Sequence, residues 1–248
     1  MPVRETEAII LRTYPLSEAD KIVSFLSRGG GRIRGVARNA RRSVKRFGAS
    51  LERLSHVRLR YFEQESRDLV RLESCEIVQS FFATQSDYDA GVAASYIAEL
   101  CEQLLPEREA NDPFFRLVLL VMNEIRRKGR IWRPLTYFDL WAVTLGGFLP
   151  RLDACSRCQG PIETNENAWF RYESHGLRCK LCRAEGSWTL GGESRTLARS
   201  MLERSLLEIP DEGWTKSRAE DLRRFLGHEI EKHLERKLVT RPLLEGLT

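Results

Sequence analysis

Two C-x2-C pairs, Cys155-Ser-Arg-Cys158 and Cys179-Lys-Leu-Cys182, stand twenty residues apart in the second half of the chain, and this spacing constrains the fold more than any other feature. Each pair lets two sulfurs converge on one point. Four thiolates at about 2.3 Å fill the tetrahedron around a zinc ion and leave no open position for a reacting water. The pattern predicts one structural Zn2+ per chain, held by Cys155, Cys158, Cys179 and Cys182 in a module covering residues 150–190. The alternative is a set of redox-active or unbound cysteine pairs, and disulfides are disfavoured in a reducing cytoplasm. Cys75 and Cys101 lie in strand-like and helical apolar surroundings and read as small core residues.

Charge is the second constraint. The net charge is only +5, a weak pointer to a polyanionic partner on its own, but its distribution is uneven. Between Asp20 and Glu52 there is no acidic residue, while the interval holds Lys21, Arg28, Arg32, Arg34, Arg38, Arg41, Arg42, Lys45 and Arg46. The rest of the chain is therefore net negative. Arginine forks match phosphate oxygens in pairs, and neutralising several phosphates releases counterions, so Arg28, Arg32, Arg34, Arg38, Arg41, Arg42, Lys45 and Arg46 are the expected DNA-binding residues. A solvated loop with no partner is the competing reading. Tyr14, Phe25, Phe47, Tyr61 and Phe62 share the segment; some can stack on unpaired bases and others must fill the core.

The pattern along the chain predicts an α+β protein: a domain over 1–80 built as a five-stranded OB-type β-barrel, then a mostly helical domain over 81–248 with the cysteine module embedded in it. Thr6–Leu11, Lys21–Ser27, Arg32–Ala37, His56–Tyr61 and Asp68–Ile77 are the five candidate strands, and an SH3-like barrel fits nearly as well. Gly29-Gly30-Gly31 closes a hairpin between the second and third. Val57, Leu59 and Tyr61 alternate with Arg58 and Arg60, giving one buried and one outward face. Beyond residue 81 the period becomes helical, from Val92 to Leu105, then from Asn111-Asp112-Pro113 to Gly129, and again over Pro134–Leu145, Ser194–Leu207 and Ser217–Leu238. No apolar stretch has signal-peptide or membrane-span length, so a cytoplasmic protein is expected.

Motifs for catalysis fail on inspection. Gly29–Gly35 misses G-x-G-x-x-G by one position and there is no Walker loop. His228 and His233 are five residues apart, about 140° around a helix, and cannot share a metal from one face. Glu229, Glu231, Lys232, Glu235, Arg236 and Lys237 read as a solvated helix face. No catalytic residue, bound organic cofactor or enzymatic activity is expected.

The segments Ala8–Thr13, Ser17–Val23, Gly31–Ala37, Ala40–Gly48, Ala93–Leu100 and Leu145–Pro150, the last leading into the cysteines, together resemble the RecO family of bacterial recombination mediators in order and spacing. The resemblance spans nearly the whole chain and implies an OB fold followed by a helical domain with a four-cysteine zinc site. It further implies binding of single- and double-stranded DNA, annealing of complementary strands, and cooperation with RecR in loading RecA onto DNA coated by single-strand-binding protein, in the cytoplasm and nucleoid. The acidic, Phe-ended tail of single-strand-binding protein is a further implied partner. Arg126, Arg127, Lys128 and Arg130 beside Trp132 are a plausible basic rim for it. A zinc-stabilised OB-fold RNA-binding protein is the alternative that composition alone leaves open; a metal-dependent nuclease is disfavoured because its metal wants oxygen ligands.

Overall fold

A computed structural model describes residues 3–42, 46–63 and 68–247. They form two compact units, one made of residues up to Gly129 together with Leu238–Leu247, the other of Arg130–Lys237.

The first unit begins with five strands: β1 (Val3–Pro15), β2 (Lys21–Ser27), β3 (Gly31–Ala37), β4 (His56–Phe62) and β5 (Val70–Gln79). Their order is β1-β2-β3-β5-β4, and β4 pairs back onto β1, so the sheet is closed. β1 serves two neighbours because it is long. Val3–Ile9 pair with β4 and Ala8–Pro15 with β2, with a register shift between Ile10 and Arg12 that bends the strand. Every pairing is antiparallel except the seam of β3 with β5, where Gly35 faces Val70. A Cβ on Gly35 would lie 2.7 Å from a Val70 methyl and 2.9 Å from its carbonyl oxygen, so the seam requires glycine. The alternation read in β4 holds: Val57, Leu59 and Tyr61 are buried, Arg58 and Arg60 exposed. With Ile10, Val23, Phe25, Ile33, Phe47 and Leu72 they fill the interior of the closed sheet. Each such side chain contributes about 1.5–3 kcal/mol on burial.

Helices α1 (Phe82–Gln85), α2 (Tyr88–Leu104) and α3 (Asp112–Lys128) follow. The Asp87 side chain accepts from the Ala90 N–H and that of Asn111 from the Phe114 N–H, satisfying free donors at the starts of α2 and α3. Gly129 ends α3 at φ 63°, where a left-handed residue is needed. Cys75 and Cys101 are buried, as expected, and burial raises both thiols, Cys75 to about 11.

The second unit holds α4 (Trp132–Leu145), a short ribbon of β6 (Ala168–Phe170) and β7 (Trp188–Leu190), α5 (Gly192–Glu203) and α6 (Glu220–His233). α4 packs against α5 and α6. The helix expected over 194–207 ends earlier because Ser205 opens a separate 3-10 turn, with its hydroxyl accepting from the Leu207 N–H and Glu208 returning to the Ser205 N–H. The helix expected over 217–238 is shorter at both ends: Ala219 is left-handed at φ 57°, and helical geometry stops at His233.

The solvated face expected on that helix is corrected at two positions: Glu229 and Glu231 are 5% and 3% exposed. The chain turns after α6 and brings Lys237 Nζ to 3.0 Å from Glu231, which compensates one buried carboxylate. Burial pushes the Glu229 carboxyl up, an effect tempered by Lys232 and the Gly176 backbone. Glu235, Arg236 and Lys237 are exposed. The two histidines are separately engaged, His228 buried beside Tyr172 and Trp188 and His233 stacked on Phe148 at 4.0 Å.

The chain then returns to the first unit. Glu99 of α2 accepts from the Val239 and Thr240 N–H groups and from the Thr240 hydroxyl, seating α7 (Arg241–Glu245) against α2.

Candidate metal centre and nucleic-acid interface

The four cysteines converge. The Sγ atoms of Cys155, Cys158, Cys179 and Cys182 all lie within 4.8 Å of one another, and Cys158 and Cys179 are 3.9 Å apart. A tetrahedron of sulfurs at about 2.3 Å from zinc has edges of about 3.8 Å, so the set can close on one ion with small adjustments. Tight local turns create the convergence. The first knuckle is closed by Gln159 N–H donating to the Cys155 carbonyl and by Cys155 N–H donating to Gly160; the second by Cys182 N–H donating to Cys179. Ser156 N–H donates to Leu177, joining the two knuckles.

Burial disfavours ionisation of Cys155, but backbone donors at Cys158, Cys179 and Arg157 outweigh it and hold this thiol down to about 6. Burial and the neighbouring sulfurs push Cys182 up to about 12. A cation at the centre of the four sulfurs would favour the thiolate form.

The loop bearing the first knuckle is held from below by Arg195 of α5, which sequence reasoning missed. Its guanidinium is buried and donates Nε to Leu152, Nη1 to Glu163 and Glu166, and Nη2 to Ile162, all backbone carbonyls at 2.7–2.8 Å. A lone arginine in an amphipathic helix gives no sequence signal of that role.

The basic run divides in two. Arg28, Arg32 and Arg34 are engaged within the first unit. Arg28 donates to Asp112 at 2.8 Å and Glu7 at 3.2 Å, and its hydrogen bond lowers the Asp112 carboxyl. Arg32 donates Nε to the Leu105 carbonyl at 2.9 Å and reaches Glu107 at 3.2 Å, and Arg34 reaches the same carboxylate at 2.9 Å. The hairpin tip is also tied by backbone: Arg108 N–H donates to Arg32, and a Cβ on Gly31 (φ 69°) would fall 1.9 Å from the Glu109 carbonyl oxygen. Arg38, Arg41 and Arg42, just past β3, are exposed and have no carboxylate partner among the described residues. Arg46 donates to the Glu73 carbonyl and lies 5.0 Å over the Phe47 ring. Lys45 lies outside the described residues.

The aromatics separate by the same logic. Phe25, Phe47 and Tyr61 are core residues, whereas Tyr14 is 37% exposed beneath Arg12 and Phe62 is half-buried beneath Arg71. Arg71, opposite Val36 on β3, was not singled out in sequence because 24 residues separate it from Arg46. The residues suggested as a basic rim fall in different units: Arg126, Arg127 and Lys128 close α3 in the first, Arg130 and Trp132 open the second. Arg126 lies 5.5 Å over Phe81, and Arg223 lies 4.9 Å over Trp132. Among the described residues no helix is long and apolar enough to cross a membrane.

Residues 1–81 match the family model described as Recombination protein O N terminal, and residues 85–242 match Recombination protein O C terminal. The DNA repair protein RecO of Koribacter versatilis is 43% identical over 245 residues, covering 99% of both chains. That of Frankia casuarinae is 34% identical over 254 residues with the same coverage, and that of Anaeromyxobacter dehalogenans 30% identical over 247 residues, covering 96% of this chain and 94% of its own. With both halves matched in order and relatives aligned from one end to the other, the chain belongs to the RecO family.

Proposed function

We propose that this chain is a non-enzymatic DNA-binding recombination mediator, in which the closed sheet acts as an OB-type barrel and residues 1–80 carry the principal DNA contacts. The relatives are named DNA repair proteins, and that role in repair is the frame for the finer reading. The observation that carries it is the group of exposed guanidiniums at Arg38, Arg41 and Arg42, free of carboxylates among the described residues and flanked by Arg46. Unpaired cations on the turn that follows β3 lower the repulsion between two phosphate backbones, which is what annealing requires. Arg28, Arg32, Arg34 and Lys45 complete the proposed DNA-binding set; the carboxylate partners of the first three are open to solvent, so a polyanion can compete with them. The four cysteines hold Zn2+ in a purely structural role, since four thiolates fill its coordination sphere. RecR and the tail of single-strand-binding protein are the protein partners in this reading, RecA the recombinase that is loaded, and cytoplasm and nucleoid the compartment.

The test is strand annealing with complementary oligonucleotides coated by the cognate single-strand-binding protein. Addition of this protein accelerates duplex formation without any nucleotide; no acceleration at any protein concentration removes the mediator reading. Charge reversal at Arg41 and Arg42 weakens binding to all DNA sequences alike and reduces the slope of log affinity against log salt by about 0.7–0.9 for each phosphate no longer neutralised. Unchanged affinity and slope would move the phosphate-binding surface elsewhere on the chain.

A further inference from the structure

The ribbon beside the cysteines presents a second surface of the same chemistry, in the other unit. Trp169 of β6 is paired on both sides. It exchanges two backbone hydrogen bonds with Arg178, at 3.0 and 2.8 Å, and stands opposite Thr189 of β7. Residues directly opposite in antiparallel pairs share a face, and neighbours along a strand point to opposite faces. Phe170 points inward, buried against Phe225 at 5.1 Å. Arg178, Trp169 and Thr189 therefore make up the outer face, with Thr189 exposed and Trp169 half-buried.

Two cations frame the indole. Arg183 is exposed and lies 5.4 Å over the Trp169 ring; Arg178 is half-buried, and its Nε has no hydrogen-bond partner. Neither guanidinium, nor the exposed Lys180 between them, has a carboxylate partner among the described residues. Arg151, Arg171 and Arg224 of the same unit, by contrast, each meet an acidic neighbour. A flat π-face flanked by cations without counter-charges matches a base followed by its phosphates, and an unpaired strand can offer both at once.

We propose that Trp169, Arg178 and Arg183 form a second contact site for single-stranded nucleic acid, with the indole stacking on a base and the two guanidiniums holding the adjoining phosphates. The proposal rests on the reading that the chain binds DNA, and adds a site that the basic run of the first unit does not contain. A protein partner on this face is the other occupant the test must separate.

The test measures anisotropy of labelled oligo-dT and of a duplex of equal length, using the full zinc-loaded chain with Trp169→Ala, Trp169→Phe, the double change Arg178→Ala with Arg183→Ala, and, separately, Arg41→Glu with Arg42→Glu. Trp169→Ala weakens single-strand binding about tenfold, in the range of a single base–aromatic stack, with the salt slope kept, and leaves the duplex untouched. Trp169→Phe restores most of the loss. The double arginine variant lowers the single-strand salt slope by about 1.4. Single-strand affinity and slope equal to wild type in the ribbon variants, while the Arg41 and Arg42 variant fails to bind, would overturn the second site and leave the first intact. Failure of the wild-type protein to bind either probe would end both readings. Loss of zinc in the double variant, with normal affinity once zinc is restored, would assign the two arginines to balancing thiolate charge and also overturn the proposal.

Discussion

A chain with serine at Cys179 is expected to emerge from purification with far less than one zinc per molecule and with the segment from Cys155 to Leu190 unfolded. The argument is one of core size. Over 155–190 the buried apolar side chains are few, chiefly Ile162, Ala168, Phe170, Leu177 and Leu190, against 36 residues to be ordered at about 1–2 kcal/mol of backbone entropy each. A structural zinc in a small module contributes about 10 kcal/mol or more at neutral pH, and removing one of four thiolates forfeits much of it. The same loss follows chelation or acid. Since Cys155 is the thiol held down to about 6, protons begin to compete even for that sulfur as the pH falls below this value, and metal affinity rises with pH above it. Bound zinc by elemental analysis, and protease cutting within 155–190, read the outcome. Full zinc occupancy and wild-type protease resistance in serine variants at all four positions would show that the thiol cluster is not a metal site.

Arg195→Ala is the second large effect, expected to cost about 3–5 kcal/mol, because four backbone carbonyls lose a charged donor held by a buried side chain, and of the four only Glu163 keeps another, the Glu166 N–H. Burial lowers the Arg195 pKa, with Arg199 adding to it. The side chain is held by carbonyl dipoles, the acceptors being the backbone oxygens of Leu152, Ile162, Glu163 and Glu166. Arg195→Lys restores charge but not the planar fork that reaches all four together, so it rescues little. Because those carbonyls lie on both sides of Cys155 and Cys158, the loss extends to the metal: a chelator strips zinc faster from the alanine variant. Urea midpoints and chelator rates equal to wild type would place Arg195 outside the support of the knuckle.

Much of this was legible in the chain itself, and what escaped did so for identifiable reasons. The β2 strand lies where its pattern put it, and the start and stop of α3 coincide with Asn111 and Gly129, because local side-chain chemistry sets those boundaries. The convergence of the four cysteines was readable because metal geometry translates directly into spacing. Non-local partnerships were not readable. β1 runs to Pro15, well past Leu11, because it serves two neighbours. Glu231 is buried because Lys237 comes back to it, and Arg28, Arg32 and Arg34 meet carboxylates far along the chain, at Glu107 and Asp112, or on the neighbouring strand, at Glu7. Helix α7 could have been found, since Pro242 falls in its first turn, but five residues is too short for a periodic signal.

The return of segment 238–247 to the first unit has a bearing on biosynthesis. The sheet can close once β5 has left the ribosome, yet α2 still lacks the α7 contact, and the Glu99 carboxylate lacks the amides of Val239 and Thr240, until the knuckles and α6 have all been translated. The unit that starts first is therefore finished last. A nascent chain that has emerged only as far as residue 237 holds the whole of the cysteine-bearing unit, Arg130–Lys237, while the unit translated before it still lacks Leu238–Leu247.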